Sequence, residues 1–410
     1  TPLTEYYLAY YAGKLGDNEL RDFYLKNAFK QDSYLCFPND VNDIAVLECA
    51  IQHNNQDHLA PYYLGNLWYD KRQYEDAIFN WEESVKTCST FPTAYRNLGI
   101  AYFNKRGNQE KAIEFYEKAF ALDKSDARVL MELHQLYKRV NRSPSERLQL
   151  LEEEFTVVVE RDDLYLEYLS LHNFLGTSKK AYSLIMARKF HPWEGGEGKV
   201  TAEYLNALVE LAKSAIKNNE YKAALELLAK TQKFPENLGE GKLYGTHDND
   251  VFYWTGKAYE GLNEESLAKE NFIRATLGLR EPSAAIFYND QQPDKIFYQG
   301  LALHALGEKS EAQSVFSNLI TYGEQHMQDV VEIDYFAVSL PNMMTFDDDL
   351  NLRNKIHCLY ILGLGQLGLG QIQEAKASFG EVLMLDQQHF GAKIHLAMVN
   401  EYAKTLALPD

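Results

Sequence analysis

The sequence predicts an all-α fold: a right-handed α-solenoid of roughly nine helix pairs with insertions. Three observations predict it. Apolar residues recur at helical intervals, an order of large and small residues returns after 34 residues, and polar or Gly-containing turns separate the segments.

Taken in chain order, residues 1–57 read as a divergent helical repeat region, with Tyr7, Tyr11, Leu20 and Tyr24 at helical spacing. Residues 58–190 hold two strong repeats. One runs Pro61-x-x-Leu64-Gly65-x-x-Trp68 to Ala77, Trp81 and Ser84; the next runs Tyr95-x-x-Leu98-Gly99-x-x-Tyr102 to Ala112, Tyr116 and Ala119. Leu130 to Leu150 and Tyr165 to Arg188 are weaker copies. A Gly-rich loop fills 191–200, because Pro192 and Gly195, Gly196 and Gly198 cannot continue a helix. From 201 to 410 the repeats resume, first at Leu208 to Thr231. Phe252-Gly256-Tyr259 then leads to Ala268, Phe272 and Ala275, and Ile296-Gly300-Leu303 to Ala312 and Phe316. Leu359-Leu362-Gly363 leads to Ala375 and Phe379, and a capping helix closes one continuous superhelix. From Gly to Ala is 12 residues in four of these repeats and 13 in the one at Tyr95, whose additional residue falls in the turn Asn104–Asn108. Small residues such as Gly65, Gly99 and Ala77 are expected where paired helices cross, with no room for a larger side chain. Gly196, in the loop, is expected to tolerate one within its dihedral limits.

The period and the order of residues within it resemble the tetratricopeptide repeat family. The resemblance implies stacked antiparallel helix pairs, with the first helix of each pair lining a concave face. Two intervals depart from the period. Gly256 to Gly300 is 44 residues, with a surplus near 281–292, and Gly300 to Gly363 is 63, with an insert over about 322–352. The loop His191–Gly198, the runs Tyr288-Asn289-Asp290-Gln291 and Pro293-Asp294-Lys295, and the run Phe346–Leu350 also resemble a bacterial family of unknown activity. In that family a β-sandwich domain precedes tetratricopeptide repeats. This resemblance implies that the 410 residues are the C-terminal, repeat-bearing part of a longer protein, whose β-rich domain could be a partner.

Binding residues are expected on the first helix of each repeat. The fifth positions carry Tyr62, Arg96, Tyr253, Phe297 and Tyr360, and aromatic rings offer broad, rigid contact area to a peptide or sugar. Tyr is also common there in the repeat pattern itself. Tyr253, Phe297 and Tyr360 are expected to form a partner-binding stripe, since both inserts lie beside them. Asn66, Asn97 and Arg128 occupy places where some tetratricopeptide domains clamp a terminal carboxylate. Tyr62 and Glu132 stand where that clamp needs cations, and Glu132 would repel its ligand. In the loop, His191, Trp193, Glu194 and Glu197 are candidates, with Trp193 alternatively plugging an apolar edge between repeats. Glu194 or Glu197 facing Asp347–Asp349 could serve a carbohydrate as paired carboxylates, although nothing in the sequence brings them together. The acidic run could instead cap a helix.

Composition narrows the function classes. Lys plus Arg number 41 against 59 Asp plus Glu, a net charge of −18 that repels phosphate backbones and anionic membranes. There is no metalloprotease motif, no Ser-His-Asp context and no metal-ligand spacing among Cys36, Cys49, Cys88 and Cys358. Gly363-x-Gly365-x-x-Gly368 imitates a dinucleotide fingerprint, but it lies in a repeat helix with no preceding strand. Four scattered thiols suit a reducing, cytoplasmic setting. The opening Thr1–Glu5 has neither a basic nor an apolar leader region; with no initiator Met, a processed product or a piece of a longer chain is expected. The expected function is a non-catalytic scaffold, without cofactor or metal, that holds a protein or peptide segment. A carbohydrate-binding accessory of an enzyme and a structural or oligomerisation arm are the alternatives.

Overall fold

A computed structural model describes residues 1–33, 35–193, 195–284, 290–332 and 345–406, with side chains through Glu401. These residues form 21 α-helices and one short 3-10 turn, with no strand among them. The chain divides into two compact units. The first comprises Thr1–Val140 and Met344–Asp347, and the second Asn141–Met343 and Asp348–Asp410. The division falls inside the expected 58–190 repeat segment.

The first unit holds α1 (Pro2–Lys14), α2 (Asn18–Lys30), α3 (Val41–His53), α4 (Leu59–Asp70), α5 (Tyr74–Thr87), α6 (Pro92–Asn104), α7 (Gln109–Leu122) and α8 (Ala127–Arg139). The pairs α1/α2, α4/α5 and α6/α7 pack as hairpins, and successive helices pack along the chain. Asp17, Asp40, Asn108 and Asp126 begin their helices by accepting hydrogen bonds from first-turn N–H groups.

The second unit begins with α9 (Pro144–Glu153), α10 (Phe155–Val158), α11 (Asp162–Phe174), α12 (Ser178–Ala187), α13 (Lys199–Lys217) and α14 (Tyr221–Lys230). It continues with α15 (Asn249–Gly261), α16 (Glu265–Ala275), α17 (Pro293–Ala305), α18 (Lys309–His326), α19 (Leu350–Gly368), α20 (Ile372–Leu385) and α21 (Phe390–Leu406). Five hairpins run from α11/α12 to α19/α20. Their first helices also pack on one another, α11 on α13, then α15, α17, α19 and α21 in turn, as one layer. Both ends of the expected insert at 322–352 are helical, since α18 reaches His326 and α19 starts at Leu350.

Two local features repeat. The turn inside each hairpin contains one left-handed residue: Gly16, Arg72, Gly107, Gly176, Asn219, Asn263, Gly307 and Gly370. Asn141, at the start of the second unit, is also left-handed, with φ 55°. The second feature is the helix crossing. A Cβ on Gly65, Gly99, Gly256, Gly300 or Gly363 would come within 3.0 Å of the ring of Trp81, Tyr116, Phe272, Phe316 or Phe379, respectively. The missing side chain lets an aromatic of the second helix lie flat against the first, which is why the two residue types recur together. Gly365 and Gly368 serve packing too, because a Cβ there would collide with Phe316 or Ile320 of α18.

All four cysteines are free thiols, with Cys36 and Cys358 buried. Among the described residues no helix is long and apolar enough to cross a membrane.

Candidate functional site

The second unit contains a cavity of about 900 Å³. Its walls come from the first-helix layer, α13, α15, α17, α19 and α21, and from the segments at 192–198 and 240–247. The last two are tied down. Glu240 accepts hydrogen bonds from the Gly198 amide at 3.0 and 3.2 Å, and the Phe190 amide donates to the Asn237 carbonyl at 2.8 Å. Apolar and aromatic surface is supplied by Val209, Phe234, Tyr298, Tyr360 and Phe390, with Tyr244 fully exposed at the rim.

Charge on this wall is one-sided. Among the described lining residues Glu197, Glu210, Glu240, Asp250, Asp290 and Asp294 face it with the ammonium of Lys295, and Lys213 pairs with Glu210 at 2.7 Å from behind the wall. Lys295 lies 2.6 Å from Asp250 and 3.7 Å from Asp294. Burial opposes its charge, but the two carboxylates outweigh burial and hold the ammonium above its ordinary range. Burial raises the Asp294 carboxyl against the pull of Lys295. It also lowers the His357 and His389 imidazoles, which are therefore neutral at neutral pH and offset none of the acid.

The first unit holds a different arrangement. Arg96 donates two hydrogen bonds to Glu132, each 2.6 Å, and Arg128 adds a third at 3.0 Å. Burial disfavours a charged Glu132, yet the two guanidiniums keep its carboxyl below the usual range. Asn66 accepts from Asn97 and from Trp81 Nε1, both at 3.0 Å. Beside this network Thr345, Phe346 and Asp347 lie against α6, α7 and α8. Phe346 is 1% exposed, its ring 5.0 Å from Phe103 and 5.5 Å from Tyr116.

The sequence-predicted residues therefore separate. Tyr360 and Glu197 line the second unit's cavity. Tyr253 is half-buried against Trp254 and Tyr298. Phe297 corrects the expected stripe: it is 0% exposed, packed among Phe316, Tyr298 and His395, and is a core residue. The neighbouring Tyr298, one position further along the helix, is also buried, at 2% exposed, but contributes to the cavity lining. Tyr62 is half-buried against Phe91, and Arg96, Asn66 and Asn97 are engaged with one another and with Glu132, so no clamp for a terminal carboxylate is assembled. His191 is exposed and hydrogen bonds to Asp162, at 2.9 Å through its amide and 3.1 Å through Nδ1. Trp193 covers Gly196 of its own loop, where a Cβ would collide with the indole; the expected tolerance at Gly196 is thus corrected. Glu194 lies outside the described residues. Within the acidic run, Asp347 pairs with Lys105, Asp348 with Arg353, and Asp349 caps α19 by accepting from the Asn351 and Leu352 amides. Among the described residues no three His, Cys, Asp or Glu side chains are grouped to hold a metal ion.

Asn104, Lys105 and Arg139 escaped sequence reasoning, as did Asp250, Asp294, Lys295 and Tyr298. The irregular turn at Asn104 and the run Pro293-Asp294-Lys295 were the available signals.

Residues 92–126 match the tetratricopeptide repeat family. Among solved structures, the chain is similar to YrrB, described as a TPR protein with an unusual peptide-binding site. Identity is 16%, the match covers 64% of this chain and 97% of that one, and the TM-score is 0.30. It is also similar to a tetratricopeptide repeat protein from Parabacteroides merdae, at 14% identity over 74% of this chain and 99% of that one, with a TM-score of 0.29. Against a Naa15/Naa10 assembly bound to HypK-THB, identity is 12% over 90% of this chain and 61% of that one, with a TM-score of 0.41.

Proposed function

We propose that the chain is a partner-binding helical-repeat scaffold, and that the second unit's cavity receives a cationic protein segment. The observation that carries this reading is the wall itself: six carboxyl side chains, of which Glu210 is paired with Lys213 and Asp250 with Lys295, leave an excess of acid over aromatic surface in a volume of about 900 Å³. Lys295 is already neutralised by Asp250, so the field reaching a ligand is negative. Phe234, Tyr244 and Phe390, which keep exposed ring surface, add faces and edges on which a Lys stem or Arg guanidinium can lie.

The test is fluorescence polarisation at physiological salt, with labelled peptides of equal length that are basic, acidic or neutral. The basic peptide should bind at least roughly tenfold more tightly than the acidic one. Glu197→Lys, an exposed substitution on the wall, should narrow that gap with little change in melting temperature. Equal affinity for all three peptides, binding of none, or preference for a neutral oligosaccharide would overturn the reading.

A further inference from the structure

The first unit carries a second binding site, independent of the cavity. Thr345–Asp347 belongs to this unit, whereas Asp348 and the residues that follow it belong to the other. Its contacts are those of a bound peptide. The Asn104 side chain donates to the Thr345 carbonyl at 2.9 Å and accepts from the Asp347 amide at 2.9 Å. One amide thereby holds the backbone on both sides of Phe346, which requires an extended segment. Between those two bonds the Phe346 ring is buried against Phe103 and Tyr116. Arg139 donates to the Asp347 carbonyl at 3.1 Å, and Lys105 lies 3.1 Å from the Asp347 carboxylate. Main-chain bonds give such a site affinity, and a side-chain pocket gives it selectivity.

The unit's own helices do not need this tripeptide for closure. Tyr116 already packs flat on Gly99, and α6 and α7 form their hairpin by direct contact. We propose that the groove beside Asn104 is a recognition site for extended protein segments bearing an aromatic residue followed by an acidic one, and that Thr345–Asp347 is its resident competitor. A partner segment of that chemistry binds by displacing the tripeptide. Selectivity rests chiefly on the aromatic pocket, since the Asp347 carboxylate is 64% exposed and its pairing is screened by solvent.

The probe is a labelled synthetic octapeptide, Asn342–Asp349 of this chain, titrated into the full 410-residue protein. Wild type should bind it weakly, because the groove is filled. Phe346→Ala, which empties the pocket, should bind it at least roughly tenfold more tightly. Adding Asn104→Ala to that variant should abolish the gain. No gain in a Phe346→Ala chain of unchanged helical circular dichroism would overturn the proposal. Should Phe346→Ala lose helical signal, Asp347→Lys decides. It weakens the resident segment but keeps the ring, so about a threefold gain is expected, and no gain overturns the proposal. Dimers formed on mixing Phe346→Ala with wild type would make a second copy the occupant, which also overturns it.

Discussion

At the scale of single residues, one buried side chain that does not line the cavity ties stability to pH. His395 is 0% exposed, with Nδ1 2.7 Å from the Gly391 carbonyl and four aromatic rings, Phe297, Tyr298, Tyr360 and Phe379, around it. Burial lowers its pKa to about 3, from 6.5 in the unfolded chain. Between those values the unfolded chain binds a proton that the folded chain refuses. The stability tied to neutral His395 is therefore complete above pH 6.5 and is lost progressively as pH falls below it. By pH 5 the loss is about 2 kcal/mol. His395→Leu should reduce the drop in melting temperature between pH 7.5 and pH 5. Equal drops in the variant and the wild type would show that His395 is not the group responsible. His172, lowered to about 4 mainly by burial, acts in the same direction in both proteins and, with the buried His357 and His389, contributes to the remaining slope.

The helical hairpin is where sequence and structure agree most closely. Gly65 with Trp81, and Gly300 with Phe316, could be read from spacing because a ring 16 residues after a glycine has a geometric cause in the crossing of two helices. The binding residues were less legible. Phe297 and Tyr298 are adjacent buried rings on one helix, and hydropathy alone does not say which of them lines the cavity. Asn104 was less legible still, because its ligand is far away in sequence. The hairpin turns give a sharper test of element design. Arg72 adopts φ 60° where Gly307 and Gly370 occupy the equivalent turn. A side chain there costs about 1 kcal/mol relative to glycine, partly offset by glycine's greater freedom when unfolded. Arg72→Gly should be neutral or mildly stabilising, whereas Gly370→Ala should lower stability by about 1 kcal/mol in denaturant titration. If Gly370→Ala proves neutral, the left-handed residue is not a determinant of the turn.

At the scale of the whole chain, the net charge of −18 has two different local meanings. In the second unit, carboxylates accumulate on a cavity wall. In the first, Glu132 is consumed by Arg96 and Arg128, and Asp347 by Lys105. Total charge therefore argues against a phosphate backbone as ligand but could not locate the acidic wall, because only folding brings Glu197, Asp250 and Asp294 together. The tripeptide at Thr345 adds a dimension of time. During translation α1–α8 leave the ribosome about 200 residues ahead of it, and at roughly 5–20 residues per second that is a delay of about 10–40 s. Helical hairpins with local contacts fold far faster. The young first unit is thus folded while its Asn104 groove still lacks its own segment, and for that interval a passing partner meets no competitor. Ribosome-bound chains arrested after residue 332 should capture the Asn342–Asp349 peptide, and released full-length chains should not. Equal capture by both would mean that emergence of Thr345 does not close the site.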